Sequence, residues 1–300
     1  MTDGLANPVE LAIPAFIGLV LVEVVLARLG LIRADYELRD AAASLVMGLG
    51  YFVIGFAGAV AVAAITAWVW QFRLFDLGYA WWVFAGLLFA EDFCYYWFHR
   101  LSHEHRFWWA AHVNHHSSQH LNLSTALRQS WTGTLAGTFV IWLPLAWLGV
   151  PPALIVFQKG LSLVYQFWIH TEAIGKLPRP LELIANTPSH HRVHHAINPR
   201  YLDRNYAGIF ILWDRLFGTF VPEDPAEPCV YGIRRQIGSF NPVRIALHEW
   251  LDLIRDVIGA PSPKAAFLYA FGPPGWSADD SRQTSAEIRG DYRREVKESS

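Results

Sequence analysis

The chain has 300 residues and a formal net charge of -2, and 53% of its residues are hydrophobic whereas only 17% are charged. Charged residues make up about a quarter of an ordinary soluble domain, so the composition argues against that class. The near-neutral charge gives no basis for a nucleic-acid partner, and we expect none. The two cysteines, Cys94 and Cys229, are far apart and form neither a metal-binding pair nor a disulfide framework.

Long apolar runs in the first third of the chain predict membrane-spanning helices. These runs occupy residues 8–29, 41–70 and 79–98. Glu23 interrupts the first run, and because a carboxylate is costly in lipid we expect it to face protein. Trp68 and Trp70 end the second run, as is typical of the aromatic belt at a membrane interface.

A further apolar stretch, residues 131–169, is divided by Pro151 and Pro152. It predicts a tight helical hairpin, either spanning or re-entrant. Lys and Arg are concentrated in residues 28–40 and 99–130 and after His170, whereas the opposite side has only Arg73. The positive-inside rule then places the histidine-rich segments on the cytoplasmic side of the membrane.

Eight histidines form three clusters, one H-x-x-x-H and two H-x-x-H-H. Their members are His99, His103, His112, His115, His116, His191, His194 and His195. Positions i, i+3 and i+4 share one face of a helix, so each cluster can direct two or three imidazoles to one point. Histidine is the commonest nitrogen ligand of transition metals, and eight of them suit two ions with about four ligands each.

An all-histidine site of this size favours iron and oxygen chemistry, because a zinc hydrolase needs only three protein ligands. A metal transporter is an alternative, but its ligands should lie near the membrane midplane, whereas these clusters follow the ends of the predicted spans. The position of the clusters below long apolar helices indicates a lipid substrate.

Longer strings around the clusters resemble the fatty acid hydroxylase/sterol desaturase superfamily, and within it most closely the alkylglycerol monooxygenase branch. The strings are HHSSQHLNLSTALRQS, YQFWIHTE, NTPSHHRVHH and NYAGIFILWDRLFGTF. The resemblance covers roughly residues 90–240. It implies a membrane-embedded enzyme with two iron ions, which reduces O₂ with external electrons and attacks an unactivated C–H bond.

The resemblance implies nine iron ligands, namely His99, His103, His112, His115, His116, His170, His191, His194 and His195. For His170 the alternative is a histidine at the membrane interface. Glu104 matches an acidic position of the alkylglycerol branch, where it would orient a ligand imidazole; the alternative is a solvated carboxylate. The remaining histidines are expected at the surface or outside the metal sites.

In the alkylglycerol branch, hydroxylation beside an ether oxygen gives a hemiacetal, which collapses to an aldehyde and a glycerol derivative. That branch uses tetrahydrobiopterin as reductant, and others use cytochrome b5 or ferredoxin-type partners. The chain contains no cytochrome b5-like domain or flavin motif, so we expect a separate electron donor. Sterol desaturation and fatty-acid hydroxylation stay open as alternatives.

The predicted fold class is all-α, with four or five membrane helices in a multi-pass arrangement and a cytoplasmic helical cap that holds both metals. Residues 1–98 are predicted as N-terminal membrane spans and 99–240 as the catalytic region, which includes the hairpin at 131–169. Residues 241–276 contain an amphipathic helical pattern. Residues 277–300 are charged and Ser-rich and predict a disordered tail.

Overall fold

The computed structural model describes residues 5–299, and in that range it contains twelve α-helices and no extended strand. The helices are α1 Pro8–Arg28, α2 Leu38–Trp70, α3 Trp81–Glu104, α4 Arg106–His116, α5 Leu143–Leu148, α6 Pro152–Phe167, α7 Arg179–Ile184, α8 Pro188–His195, α9 Leu212–Leu216, α10 Pro242–Ile258, α11 Pro263–Phe271 and α12 Ser285–Ser299. Two 3₁₀ turns occupy Thr125–Leu127 and Thr138–Trp142. The predicted all-α class is confirmed.

Two helical segments are long and apolar enough to cross a membrane, Pro8–Arg28 and Leu38–Phe56. Only 17% and 28% of their apolar windows are buried, so most of their hydrophobic side chains face outward instead of forming a core. Burial of apolar surface drives folding in water, and such exposed apolar faces are typical of helices that contact lipid. Residues 81–98 of the predicted run 79–98 lie within α3.

The predicted hairpin differs from the structure in its first limb. Residues 131–149 form turns, a 3₁₀ turn and the short α5, whereas the second limb is the regular helix α6, which begins at Pro152. Gly137 has a φ of 73°, a left-handed conformation that ends a helical path. Pro144 lacks the N–H that a continuous helix would need at that point.

The largest apolar core joins α3 to α5 and α6. It contains Val83, Leu87, Cys94, Tyr95, Trp142, Leu145, Ala146, Val150, Leu154 and Ile155. These contacts hold α3, which carries His99 and His103, against α6, the helix that precedes His170.

Buried carboxylates fix the polar segments to the long helices. Glu23 of α1 accepts a hydrogen bond from the backbone N–H of Leu123 at 2.7 Å and from the hydroxyls of Tyr36 and Thr171. Glu23 therefore faces protein, as expected from its cost in lipid. It joins α1 to the segments on either side of the predicted hairpin.

Asp92 of α3 fixes the loop that precedes α9 by accepting hydrogen bonds from it. Its carboxylate accepts from the N–H groups of Ile209 at 2.6 Å and Phe210 at 3.0 Å, and from the indole of Trp213 at 2.9 Å. Gly208 has no room for a side chain, since a Cβ there would lie 2.7 Å from Asp92 Oδ1. The family-like string NYAGIFILWD is therefore a docking segment for α3.

The predicted amphipathic helix is present as α10, and the predicted disordered tail is wrong for residues 285–299. These form α12, which begins with a reciprocal cap: Glu287 Oε2 accepts from Thr284 N at 2.8 Å, and Thr284 Oγ1 accepts from Glu287 N at 3.3 Å. Arg289 donates to the carbonyl of Leu202 at 2.8 Å and holds α12 against the loop after α8. Residues 1–4 of the N-terminal region and Ser300 of the predicted tail lie outside the described residues.

Candidate metal centre

Nine buried or half-buried histidines converge in two groups. The first group contains His99, His103, His112, His116 and His194, and the second contains His115, His170, His191 and His195. Within each group, one ring nitrogen from every residue lies within 4.8 Å of all the others. These are the nine histidines that the sequence and the resemblance single out as ligands.

The helical spacing explains how each H-x-x-H-H cluster serves both groups. On α4, the i,i+4 pair His112 and His116 belongs to the first group, and His115 between them belongs to the second. On α8 the arrangement is reversed, because His191 and His195 form the i,i+4 pair of the second group and His194 belongs to the first. The two helices therefore build both groups together.

The inward ring nitrogens face each other at short distances. The Nε2 atoms of His99 and His112 are 3.1 Å apart, and those of His112 and His116 are 3.2 Å apart. In the second group the Nε2 atom of His170 lies 2.8 Å from that of His191 and 3.1 Å from that of His115. Neutral imidazoles cannot all donate to one another, so these lone pairs need a common electron-pair acceptor.

The outward nitrogens have acceptors that fix the orientation of the rings. Nδ1 of His99 lies 2.8 Å from the carbonyl of Tyr206, and Nδ1 of His170 lies 2.7 Å from that of Gln166. His194 is held in the same way by the carbonyl of Arg204 at 3.0 Å. A ring that donates through Nδ1 presents its Nε2 lone pair to the centre, as metal-binding histidines do.

Burial keeps the imidazoles outside α3 neutral. It lowers the pKa of His170 to about 4. For six more of the nine, burial first and the neighbouring imidazoles next hold the pKa well below its ordinary value: His112, His115, His116, His191, His194 and His195. The Nε2 atoms of His103 and His194 are buried and have no hydrogen-bond partner. Neutral rings with unpartnered inward nitrogens fit two transition-metal ions.

The carboxylate of Asp203 orients the ring of His103. Its Oδ1 lies 3.2 Å from Nδ1 of His103, and Arg289 of α12 lies 3.8 Å from its other oxygen. Burial raises the pKa of Asp203, but hydrogen bonds with His103 and Ser285 and the charge of Arg289 outweigh burial and hold that pKa below its ordinary value. Asp203 has no local sequence feature that marks it, since it is 100 residues from His103.

Glu104, which the resemblance assigns to ring orientation, takes a different position. It accepts a hydrogen bond from Arg100 Nε at 2.9 Å, and 38% of its side chain is exposed. Among the described residues it forms no hydrogen bond with a clustered imidazole. The structure thus matches the alternative of a solvated carboxylate.

We expect Asp203→Asn to weaken metal binding by about 10-fold to 100-fold, because outer carboxylates fix the tautomer and raise the basicity of ligand histidines. Release of metal to a chelator of known affinity measures the effect. Glu104→Gln is the matched control and should leave the metal affinity within about twofold of wild type. Equal losses in both variants would contradict the assignment of Asp203.

A cavity of about 1270 Å³ leads to the first group. His103, His116, His194 and His195 lie in its wall, and Leu247 and Leu251 of α10 line it farther out. Arginines are frequent along the same wall: Arg106, Arg234, Arg235, Arg244, Arg255 and Arg282. The cavity has both the size and the mixed polarity to admit a molecule with an apolar part and a polar or charged part.

The other histidines lie outside the two groups. His105 is exposed and lies 3.0 Å from the carbonyl of Phe271, while His120 contacts Asp35. His190 is buried, but its ring turns away from the centre to Glu182 at 2.9 Å. Their placement agrees with the expectation that they are not ligands.

Residues 84–219 match the family model described as fatty acid hydroxylase, and all nine clustered histidines lie inside that range. The family resemblance seen in the sequence is thereby confirmed. No solved structure matches the chain.

The chain is also similar to alkylglycerol monooxygenases over most of its length. It is 39% identical to the human alkylglycerol monooxygenase over 277 residues, which are 91% of this chain and 61% of the relative. It is 43% identical to the Danio rerio alkylglycerol monooxygenase over 78% of this chain and 52% of the relative. An ornithine lipid hydroxylase from Rhizobium tropici is 33% identical over 49% of this chain and 43% of its own. The chain thus spans about half to three fifths of the lengths of the two alkylglycerol monooxygenases.

Proposed function

We propose that this protein is a membrane-bound, non-haem di-iron monooxygenase that hydroxylates a C–H bond of a lipid with O₂. The observation that carries the proposal is the convergence of nine imidazoles in two groups inside the segment that matches the fatty acid hydroxylase model. Five and four nitrogen ligands correspond to two ions, each with room for further ligands, since iron accepts up to six.

Two iron ions held there would supply the redox chemistry that activates O₂. The first would be bound by His99, His103, His112, His116 and His194, and the second by His115, His170, His191 and His195. The residues of the chain keep four of the rings in place: backbone carbonyls accept the Nδ1 protons of His99, His170 and His194, and Asp203 accepts that of His103, so that the Nε2 lone pairs of these rings stay available.

The membrane placement follows from the exposed apolar helices. We propose that α1, α2 and α3 cross the bilayer and that the cytoplasmic face carries the histidine groups, as the distribution of Lys and Arg indicates. The exposed faces of α1 and of Leu38–Phe56 support contact with lipid. A lipid substrate would then reach the centre without leaving an apolar environment.

The stoichiometry of the hydroxylation shows that the reaction also needs electrons and protons. One atom of O₂ enters the C–H bond to give C–OH, and the other leaves as water, which takes up two electrons and two protons. The chain holds no candidate for a resident electron carrier among its described residues, so a separate donor supplies these electrons. Tetrahydrobiopterin or a protein donor would reach the first group through the 1270 Å³ cavity.

Cleavage of an alkylglycerol ether is the specific reaction that the relatives favour. Hydroxylation of the carbon next to the ether oxygen gives a hemiacetal, which breaks down to an aldehyde and a glycerol derivative. The similarity to the human and Danio rerio alkylglycerol monooxygenases supports this substrate class. Hydroxylation of a lipid without cleavage is the second candidate, because the chain also resembles the ornithine lipid hydroxylase of Rhizobium tropici.

The test combines metal content with turnover of the purified full chain, loaded anaerobically with ferrous iron. We expect about two irons per chain and O₂-dependent release of fatty aldehyde from an alkylglycerol when tetrahydrobiopterin is present. A hydroxylated product without aldehyde would assign the protein to the second candidate. One metal or none, together with no O₂ consumption on alkylglycerol, ornithine lipid or sterol, would overturn the proposal.

A further inference from the structure

A second cavity of about 360 Å³ lies beside α7 and α8, and no part of the proposed reaction uses it. Its wall contains three cationic side chains, Lys176, Arg179 and Arg215, and one carboxylate, Glu182. We call it the basic cavity.

Ser189 lies in the wall of the basic cavity with an unsatisfied hydroxyl. The side chain is fully buried, and its Oγ has no hydrogen-bond partner among the described residues. Buried hydroxyls nearly always have a partner, so an unpaired one in a cavity wall indicates that a ligand supplies it. Ser189 also lies in the first turn of α8, where the side chain of the N-cap Thr187 accepts no hydrogen bond from a helix N–H and the backbone N–H groups favour an anion.

The charges of the basic cavity favour the same kind of ligand. Lys176 and Arg179 are exposed, and neither side chain forms a hydrogen bond or ion pair with any described residue. The carboxylate of Glu182 is already engaged, because it accepts from Leu177 N at 2.9 Å and lies 2.9 Å from His190 Nε2. Two cations without a partner among the described residues therefore face the cavity, and the Glu182 carboxylate in its wall is paired with His190 by charge.

Arg215 is fixed in a position that leaves it available to the ligand. One nitrogen donates to the carbonyl of Glu182 at 3.0 Å, and the guanidinium plane lies 3.9 Å from the ring centre of Phe220. A guanidinium has five N–H donors, so this arrangement leaves donors for a phosphate.

Exposed leucine and isoleucine side chains occur on the two helices next to the basic cavity, and Leu183 lies in its wall. They are Leu181, Leu183 and Ile184 of α7 and Leu212 and Leu216 of α9, each between 41% and 69% exposed. The segment around α9 packs on the proposed membrane helix α3, where Phe210 stacks on Phe89 and Trp213 meets Phe93. The cavity therefore lies where an apolar surface meets a cationic one, as lipid headgroup sites do.

We propose that the basic cavity binds the phosphate group of an anionic membrane phospholipid, with its acyl chains against the exposed side chains of α7 and α9. The inference rests on the membrane placement in the proposed function, but it needs neither iron nor turnover. Because Ser189 is on the helix that carries His191, His194 and His195, a lipid held there would also fix α8 against the membrane.

The experiment measures lipid retention by the metal-free full chain in detergent, using native mass spectrometry with phosphatidylglycerol or phosphatidylcholine added. We expect phosphatidylglycerol to bind about tenfold more tightly, since only its headgroup carries a net negative charge. Lys176→Gln/Arg179→Gln should abolish that preference, and Ser189→Ala should lower phosphatidylglycerol binding several-fold. Arg39→Gln/Lys264→Gln, which removes two exposed cations elsewhere, is the matched control and should bind as wild type does.

Equal retention of the two lipids by the wild-type chain would overturn the inference. So would unchanged phosphatidylglycerol binding in both Ser189→Ala and the double cation variant. Competition by inorganic phosphate distinguishes a phospholipid headgroup from a soluble phosphate as the ligand. Release of the lipid by millimolar phosphate would assign the cavity to a soluble phosphate and overturn the lipid proposal. None of these readouts depends on catalysis, so failure of the proposed reaction would leave them interpretable.

Discussion

The substitution His191→Ala is expected to lower bound iron from about two per chain to about one and to reduce O₂-dependent turnover by at least about 100-fold. The second group has four histidines, and His191 lies at its centre, with its Nε2 atom 2.8 Å from that of His170 and 3.1 Å from that of His195. Three remaining ligands would hold the ion weakly, and both ions are needed for oxygen activation in the proposed reaction. Iron content and product formation measured on the same preparation check the prediction.

His105→Gln is the matched control for this variant. His105 follows His103 in the chain, but it is exposed and its ring lies against the carbonyl of Phe271, away from both groups. This variant should keep both metals and nearly full turnover. A His191→Ala protein that retains two irons and wild-type turnover would contradict the assignment of the second group.

The helical spacing of the histidines made much of the candidate site predictable. An i,i+4 pair on one helix must share a face, so His112 with His116, and His191 with His195, are paired by local geometry alone. The distribution of one cluster over two groups was not predictable, because it depends on how α4 and α8 cross. That crossing is set by distant contacts, such as the ion pairs that Arg106 at the start of α4 makes with Glu249 and Asp256 of α10.

Residues that orient the histidines carry weaker sequence signals. Asp203 reaches His103 from a loop, and its own backbone has a φ of 50°, a conformation that Asp tolerates and that no periodic pattern marks. The sequence-based choice of Glu104 relied on its match to an acidic position of the alkylglycerol branch next to His103, but on a helix neighbouring residues point in different directions, and Glu104 faces Arg100 one turn back.

The C-terminal region carries a sequence signal for the start of a helix, but its composition led to the prediction of disorder. Thr284 and Glu287 form the capping box S/T-x-x-E, which marks the start of a helix. The charge and serine content of the following residues favoured disorder. The structure instead pairs this charge with a specific partner surface, because Arg289 contacts both Asp203 and the carbonyl of Leu202.

A second large effect is expected for stability, from the buried ion pair between Arg128 and Asp40. Only 1% of the Arg128 side chain and 7% of the Asp40 side chain are exposed. Arg128 also donates to the hydroxyls of Ser44 and Ser117, each at 3.1 Å, so one guanidinium joins α2 to the segment that follows α4. Arg128→Met should lower the free energy of unfolding by about 3–5 kcal/mol, because it leaves a carboxylate buried without its cation. Unfolding of the purified chain in detergent, followed by helical circular dichroism, measures the change.

The double variant Asp40→Leu/Arg128→Met separates loss of a charge partner from loss of packing. Removal of both charges takes away the buried carboxylate, so most of the stability should return, since apolar replacement of a whole buried pair is often neutral.

The carbonyl of Arg128 lies 3.4 Å from Nδ1 of His115, and a displaced Arg128 segment would therefore disturb one ligand of the second group. We accordingly expect Arg128→Met to release metal from that group more readily than the double variant does. Equal stability of the single variant and wild type would show that solvent reaches the carboxylate and would contradict the burial on which the prediction depends.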